Sequence, residues 1–439
     1  MDSLKQLDSL IGAIDEVLSG SSISLHESML EEIRQALARI QRQVNEAAQA
    51  ELIQSLIQKM DEQQQIVLSM LEIPLRSLFR LTQDERLPDH QKARLLIQIG
   101  KSHDILAQWD VAQDCFLKAL DYCQQNSVER AEALMRLGHI KSKRQKYKEA
   151  EELYRKSIQL YSRLARQDMV VNIQICMGHN AFERSRYDEA QSWYEEALRT
   201  AIPNGLEEGI AQAHLALGVL ATAMGEFEKA LEHYDFCLAS YEKLGDQHGL
   251  AATYHNLGML QVDMGKWAQA GESYQRCLEY AERVGDIELI GLVNLNRTEL
   301  AFKISDYTLA EACCKQALNS FAQIGGKPRV AEAYKFYGVI YQHKGEWDKA
   351  EKAFERSIQM FADLEQRLNL AEARYTYGLM LLEKGDLENA RKQLEEALRL
   401  FESLKAKNDA ENVRRTLMEK LYRRRPSLPK IKYIKRVKR

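Results

Sequence analysis

Ten histidines, seven cysteines and 64 acidic residues are the groups through which this chain could carry out acid–base, nucleophilic or metal chemistry. Metal-assisted hydrolysis on a helix needs two histidines one turn apart with a general base between them, and no HExxH occurs. A P-loop, a GxGxxG fingerprint, a GxSxG elbow and an HxE followed by paired cysteines are absent as well. The cysteines, Cys115, Cys123, Cys176, Cys237, Cys277, Cys313 and Cys314, lie inside helical patterns at no metal-ligand spacing, and the adjacent pair would face different directions on a helix. Odd in number, they read as reduced, small apolar residues of a cytoplasmic protein. Acidic runs such as Glu151-Glu152 and Glu395-Glu396 fit exposed helix faces. His139 and His179, each one residue after a glycine, are positioned as hydrogen-bonding groups for a ligand. The expectation is a protein that is not an enzyme, holds no metal or cofactor, and works by recognition.

The elements that would position such groups announce themselves by a period of 40 residues. Alanine returns at Ala150, Ala190, Ala230, Ala270, Ala310, Ala350 and Ala390. Twelve residues upstream a glycine keeps the beat at Gly138, Gly178, Gly218, Gly258, Gly338 and Gly378, with Gly100 and Ala112 as the first pair and Thr298 as a substitute. Few prolines and abundant Ala, Leu, Glu, Gln and Lys point to helix throughout. Each unit then reads as a helical hairpin, and a chain of such hairpins is a solenoid. Gly258 and Ala270 are small so that the two helix axes approach closely, while Tyr274 fills the wedge where they diverge. The sixth unit departs from this, with Arg297-Thr298 where an apolar residue and glycine stand elsewhere and Cys314 in place of the aromatic. Slightly looser packing of that hairpin, or a bend or ligand contact there, are both open.

These residues resemble the tetratricopeptide repeat family, in a lengthened 40-residue form similar to Pins-type G-protein regulator proteins and to bacterial signalling solenoids. The resemblance implies an all-α fold, a right-handed superhelix lined on its inner surface by the first helix of each hairpin, and peptide or protein recognition in the concave groove. Counting from each glycine selects the inner-face candidates Arg94, Lys101, His139, Asn172, His179, Phe182, Leu215, Val219, His255, Met259, Phe302, Lys335 and Tyr375. Asn256 and Asn296 are added because they resemble polar residues that Pins-like members use on ligand backbone. The wall is mixed at its ends and apolar in units four to six, which suits an amphipathic helix or an extended apolar segment. A carboxylate clamp, as in chaperone-binding members, fits less well: Arg94, Lys101 and Arg136 stand near suitable places, but His139 occupies the position of the required asparagine.

Four segments follow: an N-terminal helical segment over 1–90, eight hairpins over 91–406, a capping helix over 407–422 and a basic tail over 423–439. Within the first, Leu30, Ile33, Leu37, Ile40, Val44 and Ala47 recur by three and four, the seam of a coiled coil that would make a homo-oligomer, or of a hairpin packed on the first repeat. The tail carries Arg423, Arg424, Arg425, Lys430, Lys432, Lys435, Arg436, Lys438 and Arg439 with no acidic residue, so a chain of net charge -3 has an acidic body and a basic end. Nucleic acid or an acidic protein are the partners its charge would attract. No stretch reaches the length of an apolar spanning helix and the start lacks a basic n-region, so neither stable membrane insertion nor a secretory signal is expected.

Overall fold

The computed structural model describes residues 79, 82, 88–105, 108–324 and 326–422. The heptad-like part of the N-terminal segment and the basic tail lie outside the described residues. The chain divides into two compact units, Met1–Ile290 and Gly291–Arg439. Every regular element among the described residues is helical.

Unit 1 contains ten helices among its described residues: α1 (Asp89–Ile105), α2 (Trp109–Tyr122), α3 (Val128–Lys143), α4 (Tyr147–Arg163), α5 (Gln167–Glu183), α6 (Tyr187–Ala201), α7 (Glu207–Ala223), α8 (Phe227–Leu244), α9 (Gln247–Asp263) and α10 (Trp267–Val284). The unit boundary falls within α11 (Ile287–Lys303). Unit 2 continues with α12 (Tyr307–Gln323), α13 (Lys327–His343), α14 (Trp347–Asp363), α15 (Arg367–Lys384), α16 (Leu387–Ser403) and α17 (Lys407–Thr416), which passes into a wider helical turn over Leu417–Tyr422. Helices pack in consecutive pairs, α1 on α2 through α15 on α16, and the first helices of neighbouring hairpins also touch, α5 on α7 and α7 on α9. The fold is an all-helical solenoid of hairpins, capped by Val413, Leu417 and Leu421 against Leu394 and Phe401.

The 40-residue beat has a steric cause. A Cβ added at Gly258 would stand 2.5 Å from the Tyr274 ring, and one at Gly138 2.5 Å from Tyr154. Glycine is therefore the pocket floor for the aromatic sixteen residues on, and both rings are almost completely buried. In hairpin six the exchange is mutual: Thr298 is larger than glycine, Cys314 smaller than tyrosine, and both are fully buried. The threonine hydroxyl donates to the Asn294 carbonyl at 2.8 Å and the thiol to the Ala333 carbonyl at 3.3 Å, so neither polar group is stranded. The two changes of volume at this hairpin thus run in opposite senses.

Reversals follow a shorter period. A residue with positive φ stands at Gln145, Ala165, Ser185, Gly205, Gly225, Gly245, Gly265, Gly285, Ser305, Gly345, Glu365, Gly385 and Lys405, on a spacing of twenty. At Gly245 the geometry is a Schellman turn, with its N–H donating to the Glu242 carbonyl at 3.2 Å and the next N–H, of Asp246, to Tyr241 at 3.0 Å. Asp246 then caps α9 by accepting from the Gly249 N–H at 3.0 Å. Where Ala165, Glu365 or Lys405 takes the left-handed place, each costs roughly 1 kcal/mol relative to glycine.

Candidate functional site

The register that buries the glycines turns another stripe of α5, α7 and α9 away from their partner helices. Between these stripes lies a hollow of about 390 Å³, lined by Asn172, Ile175, Cys176, His179 and Phe182 of α5, Gln212, Leu215, Ala216 and Val219 of α7, Asn256 of α9 and the ring of Tyr194 from α6. Residues forty apart stand side by side here, as with Cys176, Ala216 and Asn256, or Asn172 and Gln212. Aliphatic and aromatic side chains make the centre, and three carboxamides offer both donors and acceptors. No lysine, arginine, aspartate or glutamate lines it.

The titratable groups around the hollow are held neutral. His139 packs edge-on against Tyr154, ring centres 5.6 Å apart, and burial, reinforced by the positive charge of Arg136 and Lys143, pushes its pKa down to about 3. His179 repeats the arrangement on Tyr194 at 5.6 Å. Its ring is solvent-accessible, yet protein surrounds it on several sides, and the resulting desolvation also lowers its pKa. His255, half-buried near the Tyr274 ring, is pushed down to about 4 by burial. Cys176 places its Sγ 3.5 Å from His139 Nε2 and 3.7 Å from Asn172 Oδ1, so both groups face the thiol and the asparagine does not orient the imidazole as a catalytic set would require. Burial, however, raises the thiol to about 12. With the imidazole depressed and the thiol raised, the pair is a neutral thiol beside a neutral ring at pH 7. Among the described residues no group of three or more His, Cys, Asp or Glu side chains could hold a metal ion, and no helix is long and apolar enough to cross a membrane.

Six of the candidates read from the sequence, Asn172, His179, Phe182, Leu215, Val219 and Asn256, converge on the hollow. Met259, at 44 % exposure, continues the His179–Val219 row on α9. Arg94 and Lys101 lie on α1, half-buried, and Lys101 pairs with Glu132 at 3.8 Å, as does Arg136. In unit 2, Asn296 is half-buried on α11, and Phe302 packs against Tyr307, Phe336 and His343 with ring centres 6.3, 6.1 and 6.3 Å away. Lys335 pairs with Glu372 at 3.4 Å, and Tyr375 Oη lies 3.4 Å from Thr416 Oγ1, on the capping helix. Ile175, Cys176, Tyr194 and Ala216 line the hollow without having been selected. For Cys176 and Ala216 the usable signal was the register two residues before the glycine, the position shared with Asn256.

The chain was compared with known proteins. A family model described as tetratricopeptide repeat matches residues 129–202, 209–283, 291–363 and 329–403, and a second of the same description matches 177–236. No curated protein matches the chain. Among solved structures, the signal transduction ATPase with numerous domains from Pyrococcus horikoshii, which carries a tetratricopeptide repeat sensor, is similar with a TM-score of 0.53 at 14% identity, over 94% of this chain and 65% of that one. A Rap protein complexed with competence and sporulation factor gives 0.50 at 14%, over 82% and 99%. The Rap conjugation gene regulator of the plasmid pLS20, in complex with the Phr* peptide, gives 0.50 at 16%, over 82% and 96%. At such identities the likeness is one of fold. The family models, by contrast, cover more than half of the sequence in phase with its own beat, and the chain belongs to the tetratricopeptide repeat family.

Proposed function

We propose that this protein is a regulatory adaptor or scaffold that captures an uncharged, apolar segment of a partner polypeptide in the hollow formed by α5, α7 and α9. The observation that carries this reading is the lining itself: Ile175, Phe182, Leu215, Ala216 and Val219 at the centre, with the carboxamides of Asn172, Gln212 and Asn256 beside them. An apolar side chain entering the centre gains by desolvation, while the amides can pair with the N–H and C=O groups of the bound backbone, which would otherwise lose their water partners. A charged ligand group would find no counter-ion. Hairpins that are packed before the ligand arrives leave most of the ordering cost to the partner. The Rap protein complexed with competence and sporulation factor and the Rap regulator in complex with the Phr* peptide support the reading in that proteins of similar fold take up a ligand.

Selection of a random heptapeptide library on the full chain tests it. The expected outcome is enrichment of peptides with two or more aliphatic or aromatic residues. Binding of the selected peptides should drop at least about a hundredfold in Val219→Glu, since a buried unpaired charge costs on the order of 3 kcal/mol or more, with helical circular dichroism unchanged. Equal binding by Val219→Glu and by Leu215→Asp would move the interface elsewhere.

A further inference from the structure

On α5 a residue two positions from another lies about 200° around the helix, so Gln174 faces away from Asn172 and Cys176 and from the hollow they line. It stands instead in a separate cleft of about 460 Å³ between α4 and α6, whose other walls are Arg155, Ile158 and Gln159 on one side and Ser192, Trp193 and Glu196 on the other. Gln174 is only 6 % exposed, and its Oε1 is buried without a hydrogen-bond partner. Such a group is costly to leave unpaired; Gln91, Gln98 and Gln113 also hold buried unpartnered oxygens, but of these glutamines Gln174 is the one that lines this cleft.

In three later hairpins a neighbouring side chain covers the residue at this register. Forty residues on, His214 is covered by the Phe236 ring at 4.1 Å, and its Nδ1 lies 3.0 Å from that of His233. Forty further, Tyr254 stacks on Tyr280 with ring centres 5.9 Å apart. In unit 2, Arg374 is held by Glu396 and by Gln393 at 2.7 Å. Only Gln174, of these four, combines an unpaired buried acceptor with an open cleft.

We propose that this cleft is a second recognition site, independent of the hollow, and that it binds a carboxamide group. The choice follows by exclusion among the chemistries a ligand could present. A carboxylate would be drawn by Arg155 but repelled by the Gln174 acceptor and by Glu196, whose pair with Arg199 at 3.0 Å is solvent-exposed and only weakly screens its charge. A guanidinium or ammonium would satisfy Glu196 and Gln174 but meet Arg155, whose guanidinium carbon lies 5.4 Å from the centre of the Trp193 ring. A purely apolar group would leave the Gln174 acceptor unpaired. A carboxamide carries both functions in one plane: its N–H₂ can donate to Gln174 Oε1 and Glu196, its C=O can accept from Arg155 or Gln159, and its flat face suits the Trp193 indole. A glutamine or asparagine side chain of a partner, or the free amino acid, supplies that group.

Fluorine NMR of the full chain labelled with 5-fluorotryptophan reads the site directly, the Trp193 signal being assigned with Trp193→Phe. Blocked tripeptides of the form acetyl-Ala-X-Ala-N-methylamide, with X as Gln, Met, Glu or Lys, are titrated alongside free glutamine. The Gln peptide should shift the Trp193 signal saturably and the other three should not. A response to free glutamine as well identifies the amide alone as sufficient, and its absence identifies a polypeptide as the source. Gln174→Leu, which removes an unpaired buried polar group, should melt no lower than the parent and bind the Gln peptide at least tenfold more weakly. Glu196→Gln, a change at the rim, should admit the Glu peptide by removing the repelling charge. An equal response to the Met peptide, no response to the Gln peptide at about 10 mM, or undiminished binding by a folded Gln174→Leu would overturn the proposal.

Discussion

Phe182 in unit 1 and Phe302 in unit 2 stand at the same register, four residues after Gly178 and Thr298, and each meets a tyrosine five residues on, Tyr187 at 5.7 Å and Tyr307 at 6.3 Å. Beyond that contact they part. The next hairpin of unit 2 presents Phe336 and His343 to Phe302, and His343 also stacks on Tyr307 at 4.5 Å. At the matching places of unit 1, two before and five after Gly218, stand Ala216 and Ala223. Ala216 lines the hollow of unit 1, whereas Phe336 and His343 of α13 pack against Phe302. Inner-face register alone therefore does not make a binding surface. The residue two before the glycine of the following helix, Ala216 in unit 1 and Phe336 in unit 2, accounts for whether the apolar stripe stays open or is covered.

The largest effect should come from emptying the filled side. Phe336→Ala removes a buried ring and should lower the stability of unit 2 by about 3–5 kcal/mol, read by calorimetry as an earlier melting of that unit. If it costs under about 1 kcal/mol, the ring is not packing as the comparison requires. Next comes the exchanged pair of hairpin six. Thr298→Gly leaves a void and a flexible residue, Cys314→Tyr overfills, and each alone should cost about 1–3 kcal/mol; together they restore the arrangement of Gly258 and Tyr274, and a coupling of about 1 kcal/mol or more in a double-mutant cycle is expected. Additive losses would mean that the two sites do not share one space.

A smaller effect separates the units by pH. The His139 and His255 rings are neutral in the folded state to about pH 3 and 4, whereas the unfolded chain takes up their protons below about 6.5. Stability from these rings is thus complete above that value and is lost as pH falls toward 4. Melting of unit 1 should shift down between pH 7 and 4.5, and less so in His139→Gln; an unchanged profile in that variant would contradict the burial of a neutral ring. Peptide affinity itself should stay flat from pH 9 to 8, because desolvation holds the His179 imidazole below its ordinary value and burial raises the Cys176 thiol. The smallest effect belongs to Lys335→Ala, whose half-exposed pair with Glu372 is worth at most about 1 kcal/mol and which should leave peptide capture as it was.

Much of the architecture was readable beforehand because the steric rule behind it needs particular residues. Only glycine admits the ring of Tyr274 above position 258, so the beat is visible as a letter pattern. The turns were only half visible: glycine marks Gly245 and Gly265, but Ala165, Glu365 and Lys405 adopt the same left-handed geometry because the twenty-residue spacing of the reversals demands it, whatever the residue. At the site, counting from the glycine located Asn172, Leu215 and Val219, and the resemblance to Pins-type proteins located Asn256. It overlooked Ala216, because a small residue on an inner face looks like nothing until its counterpart Phe336 is seen to fill the same space. For the same reason Phe302, Lys335 and Tyr375, correct in register, proved already engaged with neighbours. The cleft beside Gln174 had no signal at all, since an unpaired acceptor is a property of surroundings and not of a residue type.

One substitution bears on the central claim most directly. Ala216→Phe places in unit 1 the ring that unit 2 carries at Phe336, and isothermal titration with library-selected peptides, alongside thermal melting, measures its consequence. A hollow that is the binding site predicts affinity at least about thirtyfold weaker, some 2 kcal/mol, with a melting temperature equal to or above that of the parent. Undiminished affinity in a folded Ala216→Phe protein would contradict it.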